Sequence, residues 1–210
     1  MSLLSYNATI VLAGAGLLGV GAGAVGTFAV LRRRALVGDV VAHAALPGLG
    51  LAYLAVGQKQ MAALLAGAFL AGLVGLAFVA LLVRWTRVRE DAALGIVLSV
   101  FFGAGICLDA ALQARGATGQ AGLDNFILGK TAGILARDVV AIGSVSAVCV
   151  LAALFLRKEW TILAFDAGFA RSQGWPTLAL DLLLMTAIAA IAVVGLPTVA
   201  AGMMSSAAIR

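Results

Sequence analysis

A chain of 210 residues that is 63% hydrophobic and only 11% charged, with a mean hydropathy of +1.13, lies far from the ~25% charge of soluble domains. A soluble fold is thereby excluded, and the composition defines an all-α, polytopic integral membrane protein read as a single transmembrane domain over residues 1–210. The formal net charge of +5 is no sign of nucleic-acid binding here, because the placement of Lys and Arg relative to the apolar stretches carries the information.

Apolar stretches near the ~20 residues that cross a ~30 Å hydrocarbon core run from Ala8 to Leu31, Leu36 to Val56, Met61 to Val83, Ala92 to Leu112, Val139 to Leu156 and Thr177 to Leu196. About six full transmembrane helices are therefore expected. An incomplete seventh starts near Thr198 and runs out at Arg210. The N-terminus has no basic region of a secretory signal, so the first span is expected to be retained. Asn7-Ala8-Thr9 is a glycosylation triplet that matters only in a secretory compartment. Gly19 and Gly23 in the first span, and Gly95, Ser99 and Gly103 in the fourth, have the spacing of helix-packing faces. Three alternate loops, Arg32-Arg33-Arg34, Arg84 to Asp91 and Arg157 to Pro176, carry nine basic residues: Arg32, Arg33, Arg34, Arg84, Arg87, Arg89, Arg157, Lys158 and Arg171. The opposite loops carry four, Lys59, Arg115, Lys130 and Arg137, which places the N-terminus outside.

The second span holds Asp39, His43 four residues on, and Pro47 four further. An ionisable side chain deep in a bilayer costs ~2.5–3.5 kcal/mol, so its presence there points to a use. Residues at i and i+4 stack on one helix face. Counted from Arg34 at ~1.5 Å per residue, Asp39 lies ~7.5 Å and His43 ~13.5 Å into the membrane, the latter close to the midplane. Carboxylate oxygen with imidazole nitrogen suits divalent Mn, Fe or Zn and suits Cu(I) poorly. The alternative is a polar contact in which each group bonds to a neighbouring helix. Pro47 has no amide hydrogen and frees the carbonyl of His43; with Gly48 it marks an expected helix kink, and Gly48 and Gly50 leave room for a close neighbour. Because an imidazole must be neutral to coordinate, metal affinity is expected to fall in acid.

In the loop after the fifth span, Phe165 to Arg171 reads as a short surface helix with Asp166 as N-cap, Phe165 and Phe169 near one another, and Gly174 then Pro176 ending it. A two-turn amphipathic helix with aromatics beside an Asp and an Arg fits a docking element. An interfacial loop whose Phe and Trp175 rest among headgroups is the competing reading. Cys107 and Cys149 belong to no CxxC spacing and are expected to be buried, inert thiols. Asp109 and Asp181, near span ends, read as interfacial carboxylates, and Met203 and Met204 as packing residues. Gly129-Lys130-Thr131 resembles the tail of a phosphate-binding loop, but Asp124 stands where that loop needs Gly. This segment is therefore not expected to bind a nucleotide. A single histidine and the absence of GxSxG, HExxH or CxxC exclude the familiar metalloenzyme and hydrolase sites, so no enzymatic activity is expected.

Two runs, LRRRALVGDVVAHAALPGLGLAYL from Leu31 to Leu54 and LAFDAGFARSQGWP from Leu163 to Pro176, together with Phe126-Ile127-Leu128-Gly129, resemble the ABC-3 permeases. These are the membrane subunits of ABC importers for manganese, zinc or iron(II), and order and spacing agree over about residues 8–200. The resemblance implies a permease of the bacterial cell membrane that acts as a dimer, binds cytoplasmic ATP-binding subunits, and is fed by an extracytoplasmic metal-binding protein. It implies that Asp39 and His43 are ligands of the transported divalent ion, with no cofactor bound permanently. It also implies that residues 164–176 form a coupling segment that docks on the ATPase through Phe165, Asp166, Phe169, Ala170, Arg171 and Gly174. Two ligands from one chain are too few for a divalent ion, and a two-fold axis would bring a second pair. The end departs from the family pattern: members continue through further helices, whereas this chain reads Ala200-Ala201-Gly202-Met203-Met204-Ser205-Ser206 and stops at Arg210, so a shortened C-terminus is expected. The competing function is a self-sufficient carrier or channel in which Asp39 exchanges a proton for a cation. A membrane scaffold or enzyme subunit without transport is a third class.

Overall fold

The structure is a computed structural model that describes residues 6–34, 36–57, 60–114 and 136–207, and all regular elements among them are helices. In chain order these are α1 (Tyr6–Leu31), α2 (Val37–Val56), α3 (Met61–Trp85), α4 (Glu90–Ala114), α5 (Ala136–Phe155), α6 (Arg157–Phe165), α7 (Ala167–Ser172) and α8 (Thr177–Ala207). Among the described residues five helices, α1 to α4 and α8, are long and apolar enough to cross a bilayer, and the number is six if α5 and α6, bent by 68° at their junction, form one span. In lipid a helix satisfies its backbone polar groups within itself, which is why long apolar runs adopt this form. Lys59, Arg115, Phe126-Ile127-Leu128-Gly129 and Gly129-Lys130-Thr131 lie outside the described residues, as do the side chains of Asn7, Arg137, Met203 and Met204.

The centre of the bundle is α2, which packs on α3, α4 and α8, while α1 lies against α5 and α8. Val40, Val41, Ala44 and Ala45 of α2 are fully buried. Small side chains there let α3 approach until backbone meets backbone: a Cβ on Gly48 would stand 2.3 Å from the Gly67 carbonyl oxygen, and one on Gly67 would stand 2.7 Å from that of Gly48. On the α4 side Gly105 receives Leu46 and Pro47, and Gly50 receives Leu108. Pro47 stays inside a continuous helix. In α1 the close-packed glycine is Gly21, against Ser146 and Ile191. A Cβ built at Gly19, Gly23, Gly95 or Gly103 would meet nothing within 4 Å among the described residues, so within the chain the packing faces expected from their spacing are not formed. Spacing shows that small residues share a face, not which face meets another helix. The hydroxyls of Thr27 and Ser99 donate instead to the Gly23 and Gly95 carbonyls of their own helices.

Three further expectations are revised. The segment from Arg157 to Pro176 is not simply a loop, for it contains α6 and α7. Trp160 and Leu163, one turn apart on α6, are buried, and the Trp160 indole donates to the Leu180 carbonyl at 3.1 Å and packs edge-on against Phe28. The residues from Thr198 continue α8 past Pro197 to Ala207 rather than starting a new element; an internal proline forfeits one hydrogen bond, a loss that membrane helices tolerate. Cys149 is buried, as expected, but Cys107 is exposed, because α4 turns that face away from α2 and α3.

Candidate functional site

The buried stripe of α2 runs through Val37, Val41, Ala44 and Gly48. Asp39 and His43 stand about half a turn away from it at 100° per residue, on the edge α2 shares with α4. Asp39 lies in the first turn of α2, where the helix dipole favours a carboxylate. Its Oδ1 is 3.6 Å from His43 Nε2, too long for a good hydrogen bond. Two ligands ~2.1 Å from one tetrahedral ion are about 3.4 Å apart, so the observed gap is close to that of two donors sharing a cation. The imidazole is oriented by Phe102 of α4, whose ring meets it edge-on with centroids 4.9 Å apart. The Asp39 side chain is 58% exposed and that of His43 35%: the pair opens outward from the protomer. No cluster of three or more His, Cys, Asp or Glu able to hold a metal occurs among the described residues, and the pair by itself offers one carboxylate and one imidazole. Asp109 is half-buried near the end of α4.

The second site is α7. Asp166 ends α6, its amide donating to the Ile162 carbonyl, and starts α7, its Oδ1 accepting from the Phe169 amide at 2.8 Å. The acid thus breaks one helix and caps the next, as the sequence predicts. Gly174 follows at φ +80°, a left-handed conformation suited to glycine, and Pro176 precedes α8. Phe165 and Phe169 project at 75% and 51% exposure, and Arg171 is exposed. Ala170 is turned inward at 1% exposure, so it seats the helix on the bundle.

An ion-pair cluster not anticipated from sequence lies beside the start of α2. Asp181 of α8 is held through Oδ1 by Arg32 and through Oδ2 by Arg34, each at 2.7 Å, and Arg34 Nε lies 2.7 Å from Glu90 Oε1 of α4. An acid near a span end reads as interfacial until the fold brings the α1–α2 turn against it; its only prior signal was three consecutive arginines with too few acids nearby.

Helices long and apolar enough to cross a bilayer, packed around a central span, define a polytopic membrane protein. The chain belongs to the ABC 3 transport family, whose pattern matches residues 6–209. Relatives include the manganese transport system membrane protein MntC of Bacillus subtilis, 44% identical over 98% of this chain and 47% of that protein. The zinc transport system membrane protein TroC of Treponema pallidum is 41% identical over 96% of this chain and 67% of its own length. A probable iron transport system membrane protein of Haemophilus influenzae is 31% identical over 83% and 62%. The solved structure of PsaBC from Streptococcus pneumoniae in complex with Fab superposes with a TM-score of 0.74 at 26% identity, over 91% of this chain and 66% of that one. The chain thus spans about half the length of MntC and about two thirds of the others. It is a multi-pass protein of the bacterial cell membrane and a transport-family subunit rather than an enzyme.

Proposed function

We propose that this chain is the membrane-spanning part of an ATP-driven importer for a divalent transition metal, manganese, zinc or iron, with Asp39 and His43 as ligands of the ion in transit. The observation that carries this reading is the 3.6 Å gap between Asp39 Oδ1 and His43 Nε2 within an apolar span. Relatives named for manganese, zinc and iron transport support the same three ions, all of which accept this donor set. An outward-facing carboxylate is costly against acyl chains. A second copy related by a two-fold axis covers it and supplies a second Asp/His pair, completing a four-donor shell near the membrane's middle. The arginine-rich turns face the cytoplasm, where α7 offers Phe165, Phe169 and Arg171 to a separate ATP-binding subunit, and an extracytoplasmic metal-binding protein delivers the ion. ATP binding and release then shift the spans between two access states.

Uptake of radioactive manganese(II), zinc(II) and iron(II) by cells carrying Asp39→Asn or His43→Ala provides the test. Both variants remove donors from a half-open edge and leave the packing stripe intact, so membrane insertion should persist while uptake of the carried metal is lost. Wild-type uptake by both variants overturns the assignment.

A further inference from the structure

The turn between α1 and α2 is built to present two arginines to one carboxylate. Arg33 takes a left-handed φ of 56°, and the amides of Arg33 and Arg34 bond back to the Val30 and Ala29 carbonyls of α1. This sharp reversal leaves Arg33 exposed and brings Arg32 and Arg34 onto opposite oxygens of Asp181. Arg32 uses its other terminal nitrogen to donate to the Leu163 carbonyl at 2.7 Å. Leu163 lies in the last turn of α6, three residues before the Asp166 cap of α7. Arg34 uses Nε to hold Glu90, the first residue of α4, the helix whose Phe102 orients His43. Three residues from Arg34, α2 begins. Two carboxylates, Asp181 and Glu90, and two guanidinium groups therefore tie together the end of α6, α8, the start of α2 and the start of α4.

We propose that Asp181 is a positioning residue for transport, the joint through which movement of α7 reaches the Asp39/His43 pair. The inference rests on the importer reading. Charge-assisted bonds to a planar guanidinium are short and directional, so Arg32 carries a displacement of α6 to Asp181, and Arg34 carries it on to α2 and α4. A surface bridge between two flexible side chains would not do this. Here Arg32 and Arg34 are each engaged by two acceptors, and their side chains are only 16% and 18% exposed. The joint also has room to move. Arg34, Asp181 and Glu90 lie on the polar rim of a cleft of about 440 Å³ whose walls include Leu73, Leu76, Leu182 and Met185, so Asp181 and Arg34 can shift without a packed core in the way.

The test uses the complete complex with its ATP-binding subunit in liposomes, with ATP hydrolysis and manganese(II) uptake measured on one preparation. Coupling between sites typically amounts to about 5- to 150-fold, so Asp181→Asn should keep hydrolysis within about twofold and cut manganese carried per ATP by about tenfold or more. Asp181→Glu, which retains the charge, should restore most of the ratio. Arg32→Gln severs the link to Leu163 but leaves Arg34 on Asp181, and should uncouple in the same way. An unchanged ratio in Asp181→Asn, or loss of hydrolysis and uptake in equal proportion, overturns the proposal. So does failure of both Asp181→Asn and Arg32→Gln to assemble, which would make the joint a folding element. Asp39→Asn and His43→Ala are run in parallel: normal uptake by both sinks the importer site itself, whereas their loss of uptake beside an unchanged Asp181→Asn ratio sinks the joint alone.

Discussion

Gly48→Ala tests the packing that places Asp39 and His43. The added methyl would stand 2.3 Å from the Gly67 carbonyl oxygen and 2.5 Å from the Ala71 Cβ, where non-bonded atoms rest near 3.5 Å. Neither obstacle is the end of a flexible side chain, so α2 and α3 must part by about 1 Å. Sliding gives no relief, because Gly67 faces Ala52 and the Gly48 carbonyl just as closely. Overpacking of this kind costs about 1–3 kcal/mol, of which the better helix propensity of alanine returns at most ~1. A rigid backbone obstacle belongs at the upper end, so the net loss should be ~1–2 kcal/mol, or about 2–8 °C in Tm for a chain of this size. Gly19→Ala, with no neighbour within 4 Å, is the matched control and should hold or raise Tm. Thermal unfolding in detergent reads both. A Gly48→Ala protein melting at or above the wild-type temperature would refute the close approach of α2 to α3.

Trp160→Phe should lower stability by about 1 kcal/mol through loss of the indole bond to Leu180, and Trp160→Ala by ~3–5 kcal/mol because the ring is buried; equal melting of the two variants would contradict the assigned packing. Asp166→Ala should weaken α7 by ~1 kcal/mol, and Asp166→Ser, which can still cap, by much less. Co-purification of the ATP-binding subunit should follow that order, and indifference to both changes would argue against docking at α7. Manganese(II) binding to the wild-type protein, followed by calorimetry, should be lost in His43→Ala, which removes a donor. Undiminished binding in His43→Ala would show that His43 is not a ligand.

Much of the architecture was legible because lipid imposes it: a chain that must satisfy its backbone polar groups internally reveals its spans as runs of apolar residues. The same holds for motifs closed within a few residues. Asp39 and His43 share a face through the i, i+4 relation, and Asp166 caps the helix three residues ahead of its own carboxylate bond. Helix α6 was hidden inside an apparent loop because its nine residues carry Arg157, Lys158 and Glu159 and bury only one side. Its signal, Trp160 with Leu163 one turn later, is short.

Sequence alone therefore determined the membrane class, the order of spans, the shared face of Asp39 and His43 and the capped surface helix, since each depends on composition or on neighbours within about one or two turns. Tertiary structure decided which glycines meet another backbone, as Gly48 and Gly67 do and Gly19 and Gly23 do not. It also decided that Asp181 belongs to Arg32 and Arg34, some 150 residues away in the chain. The physical reason is common to both: helix rotation and long-range pairing are set by how whole helices pack, and no local periodicity encodes which face of one will find which end of another.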